Sequence, residues 1–293
     1  MRAGFVAILG RPNVGKSTFL NAVLSKKVSI VSPKAQTTRD ATLGILNEQD
    51  LQIVFVDTPG IHAGDKKLDS HMRRSAYSSS RDVDAILYIL DASERDFEPD
   101  LRILSGLDSQ APRIYVLNKI DLVHPEVGEA KKAALLAFDP NAMIIEASLK
   151  ENFGIKEIKD AIIPLLSSQR PFYPTDMLTD KDKSFQAKEI IREKMLHFLR
   201  DEIPHSSAVR IDKITRGEGG LVIKATLILD KPSHKGIVIG KGASMIKKIS
   251  MAARQELERM WHEKIASLML FVDVVPGWRD SIKTLSEIGY GDR

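Results

Sequence analysis

Eight residues near the amino terminus, Gly10-Arg11-Pro12-Asn13-Val14-Gly15-Lys16-Ser17, have the G-x-x-x-x-G-K-S spacing of a loop that wraps phosphate. Glycines there let backbone N–H groups turn inward, and the helix that follows adds the positive end of its dipole. A lysine ammonium reaches the terminal phosphates, and a serine hydroxyl is a hard oxygen donor for Mg2+. The apolar, strand-like run Phe5–Leu9 precedes the loop and the helical pattern Ser17–Leu24 follows it, which is the context this chemistry requires. Asp57-Thr58-Pro59-Gly60 closes a second apolar run, Leu51–Val56, at the sheet edge where ligands bind in such folds. There the Asp57 carboxylate reaches a magnesium shell through water, and the Gly60 N–H meets a γ-phosphate. Asn118-Lys119-Ile120-Asp121 closes a third run, Ile114–Leu117. A carboxylate at Asp121 accepts from both the N1–H and the 2-amino group of guanine, whereas adenine offers no such pair. The set therefore selects GTP over ATP, with Lys119 stacking on the base and Asn118 tying this loop to the phosphate loop.

Apolar runs at Phe5–Leu9, Ile53–Val56, Ala85–Leu90, Ile114–Leu117 and Met143–Ile145 alternate with helical patterns, which predicts a parallel sheet covered by helices on both faces. Only the polar turn Asn47–Asp50 separates Thr42–Leu46 from Leu51–Val56, too little chain for a crossover, so this pair is predicted to be an antiparallel hairpin. The proline-bearing stretch after Leu166 breaks the pattern. We expect a first domain over 1–168, a linker over 169–183 and a second domain over 184–293. In the second, a helix over Ser184–Glu202, strands at Val209–Thr215 and Leu221–Leu229, two helical stretches between Ser244 and Lys264 and a strand at Leu268–Val275 give the order α-β-β-α-α-β.

With 293 residues, 43% of them hydrophobic and 28% charged, the chain has the composition of a globular protein and enough length for two cores. The longest aliphatic or aromatic run, Ala85–Leu90, is far too short to cross a bilayer, and Met1–Gly4 opens directly onto a strand, so neither a membrane span nor a secretion signal is expected. Absence of cysteine excludes disulfides, thiolate zinc sites and cysteine nucleophiles, and fits a reducing cytosol. The histidines show no paired metal-ligand spacing; His234 is expected in solvent, and Trp261 and Trp278 in packing roles. Charge is uneven. Residues 1–179 hold 22 Lys/Arg against 23 Asp/Glu, residues 180–293 hold 21 against 16, and Lys231–Arg254 carries six basic residues with no carboxylate. That is the footprint of a phosphate-rich partner, although a solvated helix face has the same charge pattern.

These guanine-nucleotide motifs resemble the translation-factor-type GTPases, and Gln36-Thr37-Thr38-Arg39-Asp40 together with the carboxyl-terminal half resembles the bacterial Era family, of the TrmE-Era-EngA group. The resemblance implies a P-loop GTPase domain with a mostly parallel six-stranded sheet, followed by an α+β type II KH domain. It implies contacts to GTP or GDP from Gly10, Asn13, Val14, Gly15, Lys16, Ser17, Thr18, Asp57, Gly60, Asn118, Lys119, Asp121, Ser148 and Leu149, and a Mg2+ site at Ser17, Thr38 and Asp57, with Thr37 as the alternative to Thr38. The residues it implies for catalysis are Lys16, Thr38, Gly60 and Asn13, the last either holding a K+ ion or serving as a turn residue. Where the family reads Ser-Ala, this chain has Ala147-Ser148-Leu149-Lys150, and Ser148 is expected to serve through its backbone N–H. Ile61 stands where many signalling GTPases place the glutamine that orients the attacking water, and His62 is a weak substitute, so slow hydrolysis is expected.

In the second domain Val238–Ile249 resembles the KH motif, whose Gly-x-x-Gly loop clamps single-stranded RNA; here the loop is Gly240-Lys241-Gly242-Ala243, with alanine in place of the last glycine. The RNA-binding set implied is Lys235, Gly240, Lys241, Gly242, Ala243, Lys247 and Lys248. By the same resemblance the partners are the 3′ end of 16S rRNA and the 30S subunit during its assembly, the protein is a cytoplasmic monomer, and peripheral association with the inner face of the cell membrane is expected. Two other readings compete: a GTP-dependent switch that docks protein or membrane surfaces without reading RNA, and a P-loop phosphotransferase, for which the motifs leave no acceptor pocket.

Overall fold

The computed structural model describes residues 1–290 except 33, 35–36 and 62–65, so Gln36 and His62 lie outside the described residues. Eleven elements lead from β1 (Arg2–Leu9) through α1 (Lys16–Leu24), β2 (Thr42–Glu48), β3 (Leu51–Asp57), α2 (Lys67–Ser78), β4 (Ala85–Asp91), α3 (Glu98–Ser105), β5 (Arg113–Asn118), α4 (Pro125–Phe138) and β6 (Met143–Ala147) to α5 (Ile155–Ile162). The strands form one sheet in the order β2-β3-β1-β4-β5-β6. β2 pairs antiparallel to β3, with Thr42 opposite Asp57, and every other pairing is parallel. Five parallel strands and one hairpin is the arrangement the spacing predicts.

Alternation along β1 shows why both faces are covered. Val6 and Ile8 enter a core with Phe19 and Leu20 of α1 and Ile158 and Ile162 of α5. Ala7 and Leu9 enter the opposite core with Leu104 of α3 and Leu135 of α4. β4 is buried along its whole length, as a central parallel strand must be. Each fully buried Leu or Ile contributes about 2 kcal/mol over an exposed one, so the carboxyl ends of β1, β3 and β5 form a stiff edge from which loops can be aimed.

A second sheet, β7-β8-β9, is built from β7 (Ser207–Gly217), β8 (Gly220–Leu229) and β9 (Ile265–Val274), with β7 and β8 antiparallel and β8 and β9 parallel. Helices α6 (Lys183–Phe198), α7 (Pro232–Ile239) and α8 (Ser244–Trp261) pack with it, and α9 (Ile282–Glu287) follows. The order is the expected α-β-β-α-α-β, but Ser244–Lys264 holds one helix, not two: α8 runs through it unbroken, and the other helix, α7, starts earlier, where Pro232 at its first position opens a helix after β8. The Asp182 side chain caps α6 by accepting from the Phe185 N–H at 2.7 Å. On α8, Ile249, Ala253 and Leu257 repeat every four residues and are fully buried.

The chain divides into two compact units, the second comprising the described residues of 32–37, 64–71 and 181–293. The proline-rich stretch up to Asp180 belongs to the first unit. Its backbone serves the buried Gln52 amide: Gln52 Nε2 donates to Tyr173 O at 2.8 Å, and Phe172 N donates to Gln52 Oε1 at 2.7 Å. The Phe172 ring meets Phe5 edge-on at 4.7 Å. Among the described residues no helix is long and apolar enough to cross a membrane, and no group of three or more His, Cys, Asp or Glu side chains is arranged to hold a metal.

Candidate functional site

The loop between β1 and α1 is held open by backbone geometry that only glycine satisfies at two positions. Gly10 lies at φ 141° and Gly15 at φ 114°. A Cβ on Gly10 would sit 2.4 Å from Ile89 O, and one on Gly15 would sit 2.4 Å from Asn118 Nδ2. Asn13 also has positive φ, at 63°. Lys16, only 5% exposed, donates from Nζ to Gly10 O at 3.0 Å and Arg11 O at 2.7 Å. Burial lowers its pKa to about 8, opposed by the nearby Asp57 and Asp100 carboxylates. Most of the ammonium therefore stays charged at neutral pH, and its hydrogen bonds fold it back along the loop that would wrap a phosphate chain.

Three hydroxyls converge beside it. Ser17 Oγ donates to Asp57 Oδ2 at 2.7 Å, Ser29 Oγ donates to the same oxygen at 2.8 Å, and Thr38 Oγ1 lies 3.0 Å from Ser17 Oγ. Thr37 faces elsewhere and donates to Lys34 O at 2.6 Å, which favours Thr38 of the two candidates. Asp57 is fully buried; burial raises its pKa, opposed by the Ser17 hydrogen bond and by Lys16. Its Oδ1 has no hydrogen-bond partner. An unpaired buried carboxylate oxygen costs at least about 1–3 kcal/mol, and a hydrated divalent cation bound by hard oxygen donors removes that cost. Ser17, Thr38 and Asp57 therefore suit Mg2+ on chemistry as well as spacing. Gly60 follows in close contact with the phosphate loop, since a Cβ there would lie 2.7 Å from Pro12 N, and Ile61 N donates to Gly10 O at 3.2 Å. The Ile61 side chain is buried, so at this position no side chain can activate water.

Around the carboxyl end of β5, Asn118 works in both directions: Nδ2 donates to Val14 O at 2.7 Å and Oδ1 accepts from Leu149 N at 3.0 Å. One buried amide thus joins the phosphate loop, the Asn118–Asp121 loop and the turn after β6. Lys119, at φ 64°, pairs with Asp91, and the Asp121 carboxylate is exposed. Val14 is buried, and Thr18 lies in the first turn of α1. Ser148 differs from the sequence expectation. Its N–H is engaged with Phe153 O at 3.2 Å, and its buried hydroxyl is the polar group without a partner.

In the second unit the loop between α7 and α8 places Gly240 at φ 74°, Gly242 at φ 60° and Ala243 at φ 61°. A Cβ on Gly240 would meet Met245 N at 2.8 Å, whereas Gly242 faces open space. Ala243 thus carries its methyl group in the left-handed region, at a cost of about 1 kcal/mol, while its N–H donates to Gly240 O at 3.0 Å. Lys235, Lys241, Lys247 and Lys248 are all exposed, and Lys248 lies over the Phe198 ring at 4.4 Å. His234, expected in solvent, is buried instead, 3.6 Å from a Glu202 oxygen, because it lies on the inward side of α7 with Val238 four residues on. Both tryptophans pack: Trp278 is buried and donates to Ser206 O at 2.9 Å, and Trp261 donates to Gln186 Oε1 at 2.6 Å.

Sequence reasoning missed Ser29, Asn21 and the cluster behind Arg11. The Arg11 guanidinium lies 3.6 Å from both the Asp100 and Glu94 carboxylates, and Asp100 accepts from the Tyr88 hydroxyl at 3.0 Å. No local motif marks these residues.

A phosphate-wrapping loop at the edge of a mostly parallel sheet, followed in the chain by the α-β-β-α-α-β unit with its glycine loop, defines a P-loop GTPase joined to a KH domain. Residues 5–119 match the family model described as 50S ribosome-binding GTPase, and residues 202–279 match the KH domain. The chain belongs to the GTPase Era family, whose members hydrolyse GTP. It is 45% identical to GTPase Era of Caldanaerobacter subterraneus subsp. tengcongensis, covering 99% of this chain and 98% of the relative, and 41% identical to that of Lacticaseibacillus paracasei, covering 99% and 97%. Among solved structures it is similar to a single-residue variant of Aquifex aeolicus Era bound to GDP and AlF4−, at TM-score 0.95 and 37% identity, with both chains fully covered. It is equally similar to an Era in complex with MgGDPNP and nucleotides 1506–1542 of 16S ribosomal RNA, at TM-score 0.96, 38% identity and full coverage of both chains.

Proposed function

We propose that this GTPase is a slow, Mg2+-dependent switch whose KH domain binds the single-stranded 3′ end of 16S rRNA when GTP is bound, and that it acts in assembly of the 30S subunit. The observation that carries this is the joining of a phosphate loop with a buried lysine, in which Lys16, Ser17, Thr38 and Asp57 are drawn together, to a KH loop flanked by exposed lysines in the same chain. The full-length similarity to an Era held with MgGDPNP and 16S rRNA supports the choice of RNA. The functional division is 1–168 for the GTPase domain, 169–183 for the linker and 184–293 for the KH domain.

In hydrolysis a water oxygen attacks the γ-phosphorus, the bond to the β–γ bridging oxygen breaks, and charge spreads over the transferred phosphoryl oxygens. Lys16 and the N–H groups of Asn13, Val14, Gly15, Ser17, Thr18 and Gly60 would stabilise that charge. When bound at Ser17, Thr38 and Asp57, Mg2+ would supply further positive charge on the phosphates. Asp121 and Lys119 would read guanine, joined by Ser148, whose hydroxyl is open without breaking its bridge to Phe153, and by Leu149. With the apolar Ile61 side chain buried and unable to orient water, turnover depends on electrostatics, and Asn13 would hold K+. Equal turnover in sodium and potassium buffers would remove K+ from this account.

Gly240, Lys241, Gly242 and Ala243 would clamp the RNA backbone, with Lys235, Lys247 and Lys248 adding charge. The protein would work as a cytoplasmic monomer. A second reading, a switch that docks protein or inner-membrane surfaces without reading RNA, draws on Ala243 in the clamp. Filter binding over a salt series separates the two: the rRNA reading expects the 3′-end sequence to bind tighter than a scrambled strand, and equal binding would favour the docking switch.

A further inference from the structure

We infer that Ser29 is a positioning residue of the magnesium site, holding the Asp57 carboxylate so that Oδ1 is the oxygen offered to the hydrated cation. The inference rests on the Mg2+–nucleotide reading of the phosphate loop and goes beyond it, because Ser29 belongs to none of the nucleotide motifs. A carboxylate oxygen has two lone pairs, and Asp57 Oδ2 fills both with hydroxyl donors, Ser17 at 2.7 Å and Ser29 at 2.8 Å. Oδ1 is left buried and unpaired. A single donor on Oδ2 would let the carboxylate plane swing, whereas two donors from separate segments fix it. Ser29 is itself buried and clamped: Asn21 Nδ2 donates to Ser29 O at 2.7 Å, and Asn21 Oδ1 accepts from Val28 N at 2.8 Å and Ser29 N at 3.0 Å. Asn21 lies four residues after Ser17 on α1, one helical turn along the same face. One helix therefore supplies the first hydroxyl donor directly and the second through Asn21. Outer partners that orient a metal-binding carboxylate typically change metal affinity 10- to 100-fold when removed.

The test measures release of a fluorescent GDP analogue from the full-length protein over a Mg2+ titration and in EDTA, with thermal melting as a control. Ser29→Ala should raise the Mg2+ concentration for half-maximal slowing of release about tenfold, leaving release in EDTA unchanged. Ser29→Thr, which keeps the hydroxyl, should return that value to within about twofold of wild type. Asn21→Ala keeps Ser29 but frees its segment and should shift the Mg2+ response in the same direction, which carries the test if Ser29→Ala does not fold. An unshifted Mg2+ response in these variants, or release accelerated equally in EDTA, overturns the role of Ser29 while leaving the magnesium reading intact. Wild-type release indifferent to Mg2+ would overturn the magnesium reading itself, and the inference with it.

Discussion

The loops Gly10–Ser17 and Gly240–Ala243 both bring residues at positive φ to the start of a helix, yet a methyl group at Gly15 would lie 2.4 Å from Asn118 Nδ2, while one at Gly242 would meet nothing within 4 Å. The first loop is fixed by its neighbours. Asn118 crosses from β5 to bind Val14 O, Gly60 packs on Pro12, and the one lysine is 5% exposed. The second is fixed mainly by its own backbone, and its one lysine, Lys241, is exposed. Preorganised, water-excluding walls suit a ligand of one shape whose charge must be stabilised at fixed points. An open basic loop suits a flexible polyanion that is held by its backbone. The same residue type therefore answers to different constraints in the two places, and substitutions should separate them.

The largest effect should come from Gly15→Ala, where the new methyl group must displace an amide fixed by two hydrogen bonds. We expect GDP affinity to fall at least about 100-fold by calorimetry, because backbone N–H groups leave the phosphates and the Asn118 bridge is broken. Gly242→Ala, with open space around it, should cost only about 1 kcal/mol of stability, through its left-handed backbone. Similar losses in both variants would break the contrast.

Protonation gives the next effect. The buried Lys16 has its pKa lowered to about 8, so the nucleotide-free protein should lose GDP affinity as pH rises through about 8, by up to tenfold per unit, and Lys16→Met should abolish that dependence. The stability sign runs the other way. The unfolded lysine binds its proton up to about 10.5 while the folded one releases it near 8, so this group makes the nucleotide-free fold more stable between those values as pH rises. The exposed lysines around the KH loop should act through salt. Removing Lys241 or Lys247 should each reduce the slope of log binding constant against log salt by about 0.7 for single-stranded RNA, with a smaller change at Lys248, already placed over Phe198.

The smallest effect should be Ala243→Gly. Relief of the left-handed alanine should raise stability by about 1 kcal/mol, read as an increase in thermal midpoint, with RNA affinity unchanged or higher. Weaker RNA binding in this variant would mean that the methyl group contributes contact to the RNA.

What could be read in the sequence divides along similar lines. The phosphate loop, Asp57–Gly60 and Asn118–Asp121 were legible because their chemistry sits in short runs at strand ends; the alternation of apolar runs predicts the first sheet and the short Asn47–Asp50 turn its β2–β3 hairpin. Residues whose work depends on distant partners left no signal. Ser29 meets Asp57 from 28 positions away, and Asn21 shapes a segment seven or eight positions on. The stretch around Phe172 has the composition of a linker, and only the buried Gln52 amide explains why its backbone is held. His234 is a polar residue whose burial follows from its side of a short helix rather than from its type. Ser148 occupies the expected motif, but the return of the chain at Phe153 engages its N–H, and no local pattern announces that bridge.

The most direct test of the coupled GTPase and RNA account is binding of a short single strand from the 3′ end of 16S rRNA, and of a scrambled control, to the full-length protein with GDP, with a non-hydrolysable GTP analogue and without nucleotide. The account predicts tight, sequence-dependent binding only with the analogue. Equal or absent binding in all three states would contradict it and would leave the Gly240–Ala243 loop without a clamping role.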